Sequence, residues 1–326
     1  MLPLSSLGLA AVVIAAAVAQ PAPAQTASYP TRPVRFIVPS TPGGPTDVQA
    51  RLVAEQLTVA LGKQVIVDNR AGAGGRIGLE AAAKAQPDGH TIFFGSQGNL
   101  TVNPHIHRNL PYDPQKDFAP IVLLTRARYL LLANASVPAS TVKELLALLK
   151  TRSGQFNYAS IGTGSTSHIA GELFKQTLKV DLAHVPYKGA AAAMTDLIAG
   201  QVHFMFATPV ASGPYLNSGR LKAIAIAAPR RSALFPAVPT FDESGLPGFE
   251  VSTWYGILTR AGVARPVIET LNGAINRILR SEDIRARLAT LDAEAVGGTV
   301  DEFDAFIKSE RVKWGAIVRA AGIKAE

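Results

Sequence analysis

Short β-branched or aromatic runs, each bounded by turn residues, recur along this chain at 34–38, 65–67, 91–95, 156–160, 202–206 and 223–227. The intervals between them carry helical periodicity. Residues 47–61 place apolar side chains four apart (Val48/Leu52 and Val53/Leu57/Leu61), with Gly62 as the stop. The same spacing returns in 168–178, at Ile169/Leu173 and Phe174/Leu178, and 189–199 is an alanine-rich helix closed by Gly200. Parallel strands need crossovers, and crossover helices cover the sheet, so the pattern predicts an α/β fold with mostly parallel sheets. Two longer apolar stretches, 119–133 (APIVLLTRARYLLLA) and 251–258 (VSTWYGIL), read as strands that cross between domains. On that reading residues 128–250 form a lobe inserted into a discontinuous first lobe, 25–127 plus 251–326. This is the layout of a hinged, two-lobed protein with a cleft.

Composition narrows the function. The chain has 326 residues, 48% apolar and only 17% charged, which excludes a disordered chain and allows two cores. It has no cysteine, which excludes disulfide frameworks, thiolate metal sites and cysteine nucleophiles. Lys and Arg number 32 against 24 Asp and Glu, a net charge of +8. The excess is diffuse. Its densest spots, Arg126/Arg128 and Arg230/Arg231, lack interleaved aromatics, so no nucleic-acid partner is expected.

Residues 7–19 (LGLAAVVIAAAVA) are apolar throughout, yet shorter than the about 20 residues that span a bilayer. Small-x-small sites follow at Ala17-Val-Ala19 and Ala22-Pro-Ala24. Residues 1–24 are read as an export signal cleaved after Ala24, although residues 1–10 lack the usual basic residue.

Common enzyme motifs are absent: the sequence holds no G-x-G-x-x-G after a strand, no Walker A, no G-x-S-x-G and no H-E-x-x-H. Ser140-Thr-Val-Lys143 matches S-x-x-K, but Thr141-Val-Lys-Glu144 is also a capping box before ELLALL. His105 and His107 are spaced as a metal pair with no third ligand nearby, so neither metal nor cofactor is expected. Ser165 with His168 is the one short-range nucleophile–base pair, and no orienting acid accompanies it.

Three Gly/Ser/Thr-rich loops do follow strand-like runs and open helices. They are PSTPGGPTD (39–47), GSQGN (95–99) and SIGTGSTSH (160–168). Ligands of open α/β sheets bind at the carboxyl ends of strands, where helix N-termini present unpaired amides. Glycine lets the backbone approach an anion and Ser/Thr add donors, so a carboxylate or phosphate suits such a cleft without Lys or Arg. Ordinary capping competes with this reading, since Thr46-Asp-Val-Gln49 is itself a capping box. Asp47 either complements its helix dipole or fixes a ligand-bridging water. His168 either donates to a ligand or packs and caps. Valine at Gly44 or Gly164 is expected to block the anion without unfolding the chain.

From Tyr29 onward the chain resembles the substrate-binding proteins of tripartite tricarboxylate transporters, the Bug receptors. The likeness is carried by YPTRPVRFIVP, PGGPTD, VIVDNRAGAGGRIG, QPDGHTI and YDPQKDFAPI, then by FNYASIGTGSTSHIAGELF, HVPYKG, DLIAGQVHFMF, VPTFDESGLPGFEVSTWYGI and RILRSEDIRARL, in order. The resemblance implies a type II periplasmic-binding fold, two α/β lobes joined by crossing hinge strands. It also implies a monomeric periplasmic receptor, without chemistry of its own, that passes a small organic acid to a membrane permease. A sensor that signals through another membrane protein is the alternative, with a hydrolase on the same scaffold behind it. Carried over by position, the resemblance marks Ser40, Thr41, Gly43, Gly44 and Asp47, then Ser96 and Gln97, then Gly162, Thr163, Gly164, Ser165 and His168, with Lys188 and Gly189 after the HVPY strand. The chain departs from the family pattern at Ser40, where an aromatic is common, at Ala71, where Pro is common, and at Ala207, where Asp is common. The changes at Ser40 and Ala207 imply a roomier site with one partner fewer for an ammonium group. The expected ligand is therefore a di- or tricarboxylate, or an aromatic carboxylate, without an amino group.

Overall fold

The computed structural model describes residues 29–320 and 322, so the export signal read at 1–24 lies outside the described residues. The elements run β1 (Val34–Val38), α1 (Pro45–Leu61), β2 (Val65–Asn69), α2 (Arg76–Ala83), β3 (Thr91–Ser96), α3 (Asn103–Ile106), β4 (Phe118–Arg128), β5 (Leu130–Asn134), α4 (Val142–Thr151), β6 (Asn157–Ser160) and α5 (Thr166–Leu178). They continue through β7 (Ala183–Pro186), α6 (Ala190–Ala199), β8 (Phe204–Ala207), α7 (Pro209–Asn217), β9 (Leu221–Ile226), β10 (Ser252–Arg260), α8 (Arg265–Arg280), α9 (Glu282–Ala289), β11 (Ala293–Ala295) and α10 (Val300–Ala320).

The strands form two sheets, ordered β11-β4-β10-β3-β1-β2 and β7-β6-β8-β5-β9. In the first, β1 lies parallel to both β2 and β3, while β10 runs antiparallel between β3 and β4. In the second, β6 lies parallel to β7 and β8, and β5 runs antiparallel to β8 and β9. The sheets are therefore mixed rather than mostly parallel, because β5 and β10 reverse direction where the chain changes sheet. Side chains alternate between two buried faces: Val34, Phe36 and Val38 join one core and Ile37 the other, as Leu131 and Ala133 do against Leu130 and Leu132. Burial on both faces explains why these strands read as apolar runs rather than alternating ones.

The 119–133 stretch is two strands, not one. Tyr129 separates β4 in the first sheet from β5 in the second. The 251–258 stretch lies mainly within β10, wholly in the first sheet, and the return crossing is made by the segment ahead of it. Backbone bonds tie the crossings together: Ala227 N–H donates to Tyr129 O (2.8 Å) and Val251 N–H to Ala227 O (2.9 Å).

Local signals explain most boundaries. The capping box at Thr141 and Glu144 forms, with Glu144 N–H donating to Thr141 Oγ1 at 3.2 Å, which leaves no reason to read Ser140 and Lys143 as catalytic. The box expected at Thr46 and Gln49 does not form. Helix α1 begins earlier, with Gly44 as N-cap and Pro45 at N1, where a missing N–H costs nothing. Helix α10 carries Trp314 and Val318 onto Ile106 and onto Ile169 of α5, an apolar contact between the two halves of the molecule. Among the described residues no helix is long and apolar enough to cross a membrane.

Candidate functional site

The first loop leaves the carboxyl end of β1 and enters α1. Its shape is set by Asp47, buried in the first helical turn. Asp47 Oδ2 accepts from the Gly43 amide (2.8 Å) and Arg51 Nε (2.9 Å), and Oδ1 accepts from Asn69 Nδ2 (2.9 Å). Asn69 Nδ2 also donates to the Ser40 carbonyl (3.1 Å), and Ser40 and Thr46 hydroxyls share a 2.6 Å bond. Burial alone raises the Asp47 pKa, but the bonds from Arg51, Gly43 and Asn69 outweigh it and hold the carboxyl below its ordinary range. Asp47 is thus an organiser whose oxygens are both occupied by the protein. By position, the amides of Thr46 and Asp47, at N2 and N3, have no intrahelical partner. Thr41 and Gly43 are exposed beside them.

The third loop leaves β6 and enters α5. Ser165 caps the helix: its Oγ accepts from the His168 amide (3.3 Å) and donates to the Gly162 carbonyl (2.6 Å). The Gly162 amide donates to Ser160 Oγ (3.2 Å) and the Ile161 amide to Ser167 Oγ (3.0 Å). The buried His168 ring accepts from the Gly164 amide through Nδ1 at 3.0 Å, which requires that nitrogen to be unprotonated. Behind it lies a stack: His168 on His184 (4.0 Å between centroids, 14°), and His184 on Tyr158 (4.9 Å). His184 Nε2 in turn sits 2.7 Å from Ser160 Oγ. Burial lowers the His168 pKa, with Glu172 opposing and Lys175 adding to the shift. Burial, then His168, then Lys175 push His184 down to about 3. Both rings are neutral at pH 7. His168 holds the loop, and its basic nitrogen serves an amide rather than Ser165 Oγ, so the two do not form a nucleophile–base pair. Thr163 lies half-buried, and the Thr166 and Ser167 amides at N1 and N2 have no intrahelical partner by position.

The second loop joins the other two. Ser96 donates its amide (2.9 Å) and its hydroxyl to Asn99 Oδ1. A Cβ built on Gly98 would lie 3.5 Å from the Gly164 carbonyl, so loops two and three touch. Gln97 is 1% exposed and turned into the protein. In the orientation that pairs both amide atoms, its nitrogen donates to Ser252 O (3.0 Å) and its oxygen accepts from Trp314 Nε1 (2.6 Å). Beside it the buried Glu310 Oε2 accepts from Trp254 Nε1 (2.9 Å) and Trp314 Nε1 (2.8 Å). Thr166 Oγ1 reaches Thr253 Oγ1 at 3.4 Å across the same junction.

The remaining predicted positions lie at the margin. Lys188 is exposed, and Gly189 caps α6 with open space beside it. Their strand adjoins loop three, since a Cβ on Gly162 would sit 3.4 Å from Tyr187 O. Ala207 is 4% exposed and packs among Leu130, Leu132 and Met205, so its side chain belongs to a core and not to an open rim. His105 Nε2 lies 3.0 Å from the Arg311 carbonyl, a structural use. Asn69, Asn99, His184 and Glu310 brace the loops, and the sequence assigned none of them that role. Asn99 bonds Ser96 within its own loop, whereas Asn69, His184 and Glu310 act through partners distant along the chain, and only the VDN, GSQGN and HVPY motifs contained one of these residues.

Residues 49–323 match the family described as tripartite tricarboxylate transporter family receptor. Protein BugT of Bordetella pertussis is 36% identical over 304 residues, 93% of each chain. Among solved structures, R. palustris Rpa4515 with adipate is 33% identical with a TM-score of 0.86, over 91% of this chain and 99% of that one. MatC from Rhodopseudomonas palustris with bound malate is 35% identical with a TM-score of 0.81, over 89% of this chain and 100% of that one. The chain has the two-lobed fold of periplasmic binding proteins and belongs to the tripartite tricarboxylate transporter receptors, a family of solute-binding proteins and not of enzymes.

Proposed function

We propose that this protein is a periplasmic receptor that captures a small organic carboxylate without an α-amino group and delivers it to a permease of the tripartite tricarboxylate type. The observation that carries the ligand class is the electrostatic make-up of the loops. Their one carboxylate, Asp47, has both oxygens occupied, so they offer amide and hydroxyl donors but no partner for an ammonium. Adipate and malate in two relatives are acids of this kind. The amides of Thr46 and Asp47 on one side and of Thr163, Thr166 and Ser167 on the other form the cradle, with Ser40, Thr41, Gly44 and Ser96 around it. Two or three charge-assisted bonds of about 1.5–3 kcal/mol each, with buried apolar area, reach the about −8 kcal/mol of a micromolar complex. Lobe 25–127 plus 251–326 and lobe 128–250 close on the ligand about the bonded crossing at Tyr129 and Ala227.

The test is a thermal-shift and calorimetric panel on residues 25–326, the form left by cleavage after Ala24. Malate, adipate, citrate, phthalate isomers, nicotinate, glutamate and aspartate are compared. A ligand at 100 times its dissociation constant stabilises the fold by about 2.7 kcal/mol. Saturable stabilisation by amino-free acids is expected. Tightest binding by glutamate or aspartate overturns the assignment.

A further inference from the structure

Between α3 and β4 the chain folds back against α10 and leaves a depression of about 550 Å³, to which none of the three loops contributes a residue. Its charged lining is Arg108, Asp113, Asp117 and Arg311. The two acids are already engaged. Asp117 pairs with Arg260 at 2.8 Å and accepts the Asp113 amide at 2.7 Å. Asp113 Oδ1 accepts the amides of Gln115 (2.9 Å) and Lys116 (3.4 Å), and its other oxygen lies 3.7 Å from Lys116 Nζ. The two cations are not engaged. Arg108 is exposed, and among the described residues it forms no ion pair. Arg311 is half-buried, and its Nη1 is sealed from solvent without a hydrogen-bond partner. Burial disfavours the charged Arg311 and the Asp113 carboxylate beside it offsets only part of that, so a second anion against the exposed side of the guanidinium is favourable. His107 on the same wall does not compete, because burial and then Arg76 lower its pKa and leave it neutral at pH 7.

The depression also adjoins the loops from behind. Tyr112 lines it and donates its hydroxyl to the Asn99 carbonyl of loop two at 3.0 Å. Ile106, one residue before His107, lies against Gly164 of loop three. The wall of the depression and the contact between the halves of the molecule are two ends of one segment.

We propose that this depression is a second anion site, separate from the ligand cleft, which takes a carboxylate against the Arg108 and Arg311 guanidiniums. The planar guanidinium fork suits a carboxylate better than a spherical ion. The carboxylate comes either from a free organic acid or from an acidic side chain of a membrane partner. The second source rests on the receptor function proposed above, whereas the site itself does not.

The experiment follows the backbone amide resonances of residues 105–113 in the mature chain during titration with acetate, malonate and an acetylated, amidated tetraglutamate peptide. Four proteins are compared: wild type, Arg108→Gln, Arg311→Gln and Gly44→Val. Saturable shifts at 105–113 are expected in the wild type. The apparent dissociation constant should rise at least tenfold in each arginine variant and stay unchanged in Gly44→Val. Arg108 is exposed, so its variant folds even if the Arg311 variant is destabilised. Saturation by acetate or malonate identifies a free acid as the source, and saturation by the peptide alone identifies an acidic side chain. Shifts that grow linearly without saturation, or that are equal in wild type and Arg108→Gln, overturn the proposal. If Gly44→Val still binds organic acids in the cleft, the cleft assignment fails while this site stands.

Discussion

Acidification should weaken the fold through the stacked rings behind loop three, and replacing His184 should remove part of that effect. His184 lies between Tyr158 and His168, and its pKa is pushed down to about 3 by burial, then by His168 and Lys175. In the unfolded chain a histidine titrates near 6.5. Between those values the unfolded chain binds a proton at this site and the native protein does not, so stability falls as pH falls. The contribution is fully present above about pH 6.5 and is lost progressively toward pH 3. From pH 7 to pH 5 the full effect is about 2 kcal/mol, at about 1.4 kcal/mol per unit below 6.5. The ring is partly exposed, so screening reduces this to about 1–2 kcal/mol. The assay is urea unfolding of the mature wild type and His184→Gln at pH 7, 6 and 5, followed by tryptophan fluorescence. His105, His107, His168 and His203 are also depressed by burial and give both proteins a slope. The difference between the slopes isolates His184. The wild type should lose about 1–2 kcal/mol more than the variant over that range. Equal losses would refute the reasoning.

Gly44→Val should weaken ligand binding at least 100-fold by calorimetry while leaving the urea midpoint in place. Position 44 has an extended backbone, and a Cβ there meets only Thr41 O, at 3.5 Å. Gly164→Val, contrary to the expectation from sequence, does not spare the fold. Its φ is +79° and its Cβ would lie 2.3 Å from Ile106 Cδ1, so a loss of about 2–4 kcal/mol in unfolding free energy is expected. Asp47→Ala should release Gly43, Arg51 and Asn69 together, cost about 1–3 kcal/mol and lower affinity without touching the ligand, as read by paired unfolding and calorimetry. Glu310→Leu should strand the buried Trp254 indole N–H, while that of Trp314 keeps the Gln97 oxygen, and cost about 1–3 kcal/mol in the same unfolding assay.

Elements whose stabilising contacts are local were readable from the chain. Helix α1 shows its apolar spacing and its Gly62 stop, and α4 shows Thr141 and Glu144. What the sequence hid is non-local. Nothing near Asp47 says that Asn69, 22 residues further on at the end of β2, completes its coordination. Nothing near Gln97 points to Trp314 and Glu310 in the last helix. Helix α7 escaped because Pro214 interrupts it and its apolar residues follow no helical period. Strand β11 escaped because three residues are too few to show one. For the site, residue type told where an anion would be welcome. It did not tell which donors the protein would use itself, as it does the amides of Gly43 and Gly164.

Strands β3 and β4 follow each other in the chain but do not pair, and β10 fills the slot between them. That strand is synthesised only after the entire second sheet. Until it arrives, β3 and β4 each present an open row of backbone donors and acceptors, the usual template for aggregation. The second sheet meets no such delay, because all five of its strands lie in one continuous stretch. A nascent chain stopped before Ser252 would therefore carry a completed sheet tethered to a sticky β2-β1-β3 half-sheet and a lone β4, whose other neighbour, β11, comes later still. Keeping the first sheet unfolded until β10 emerges avoids that exposure.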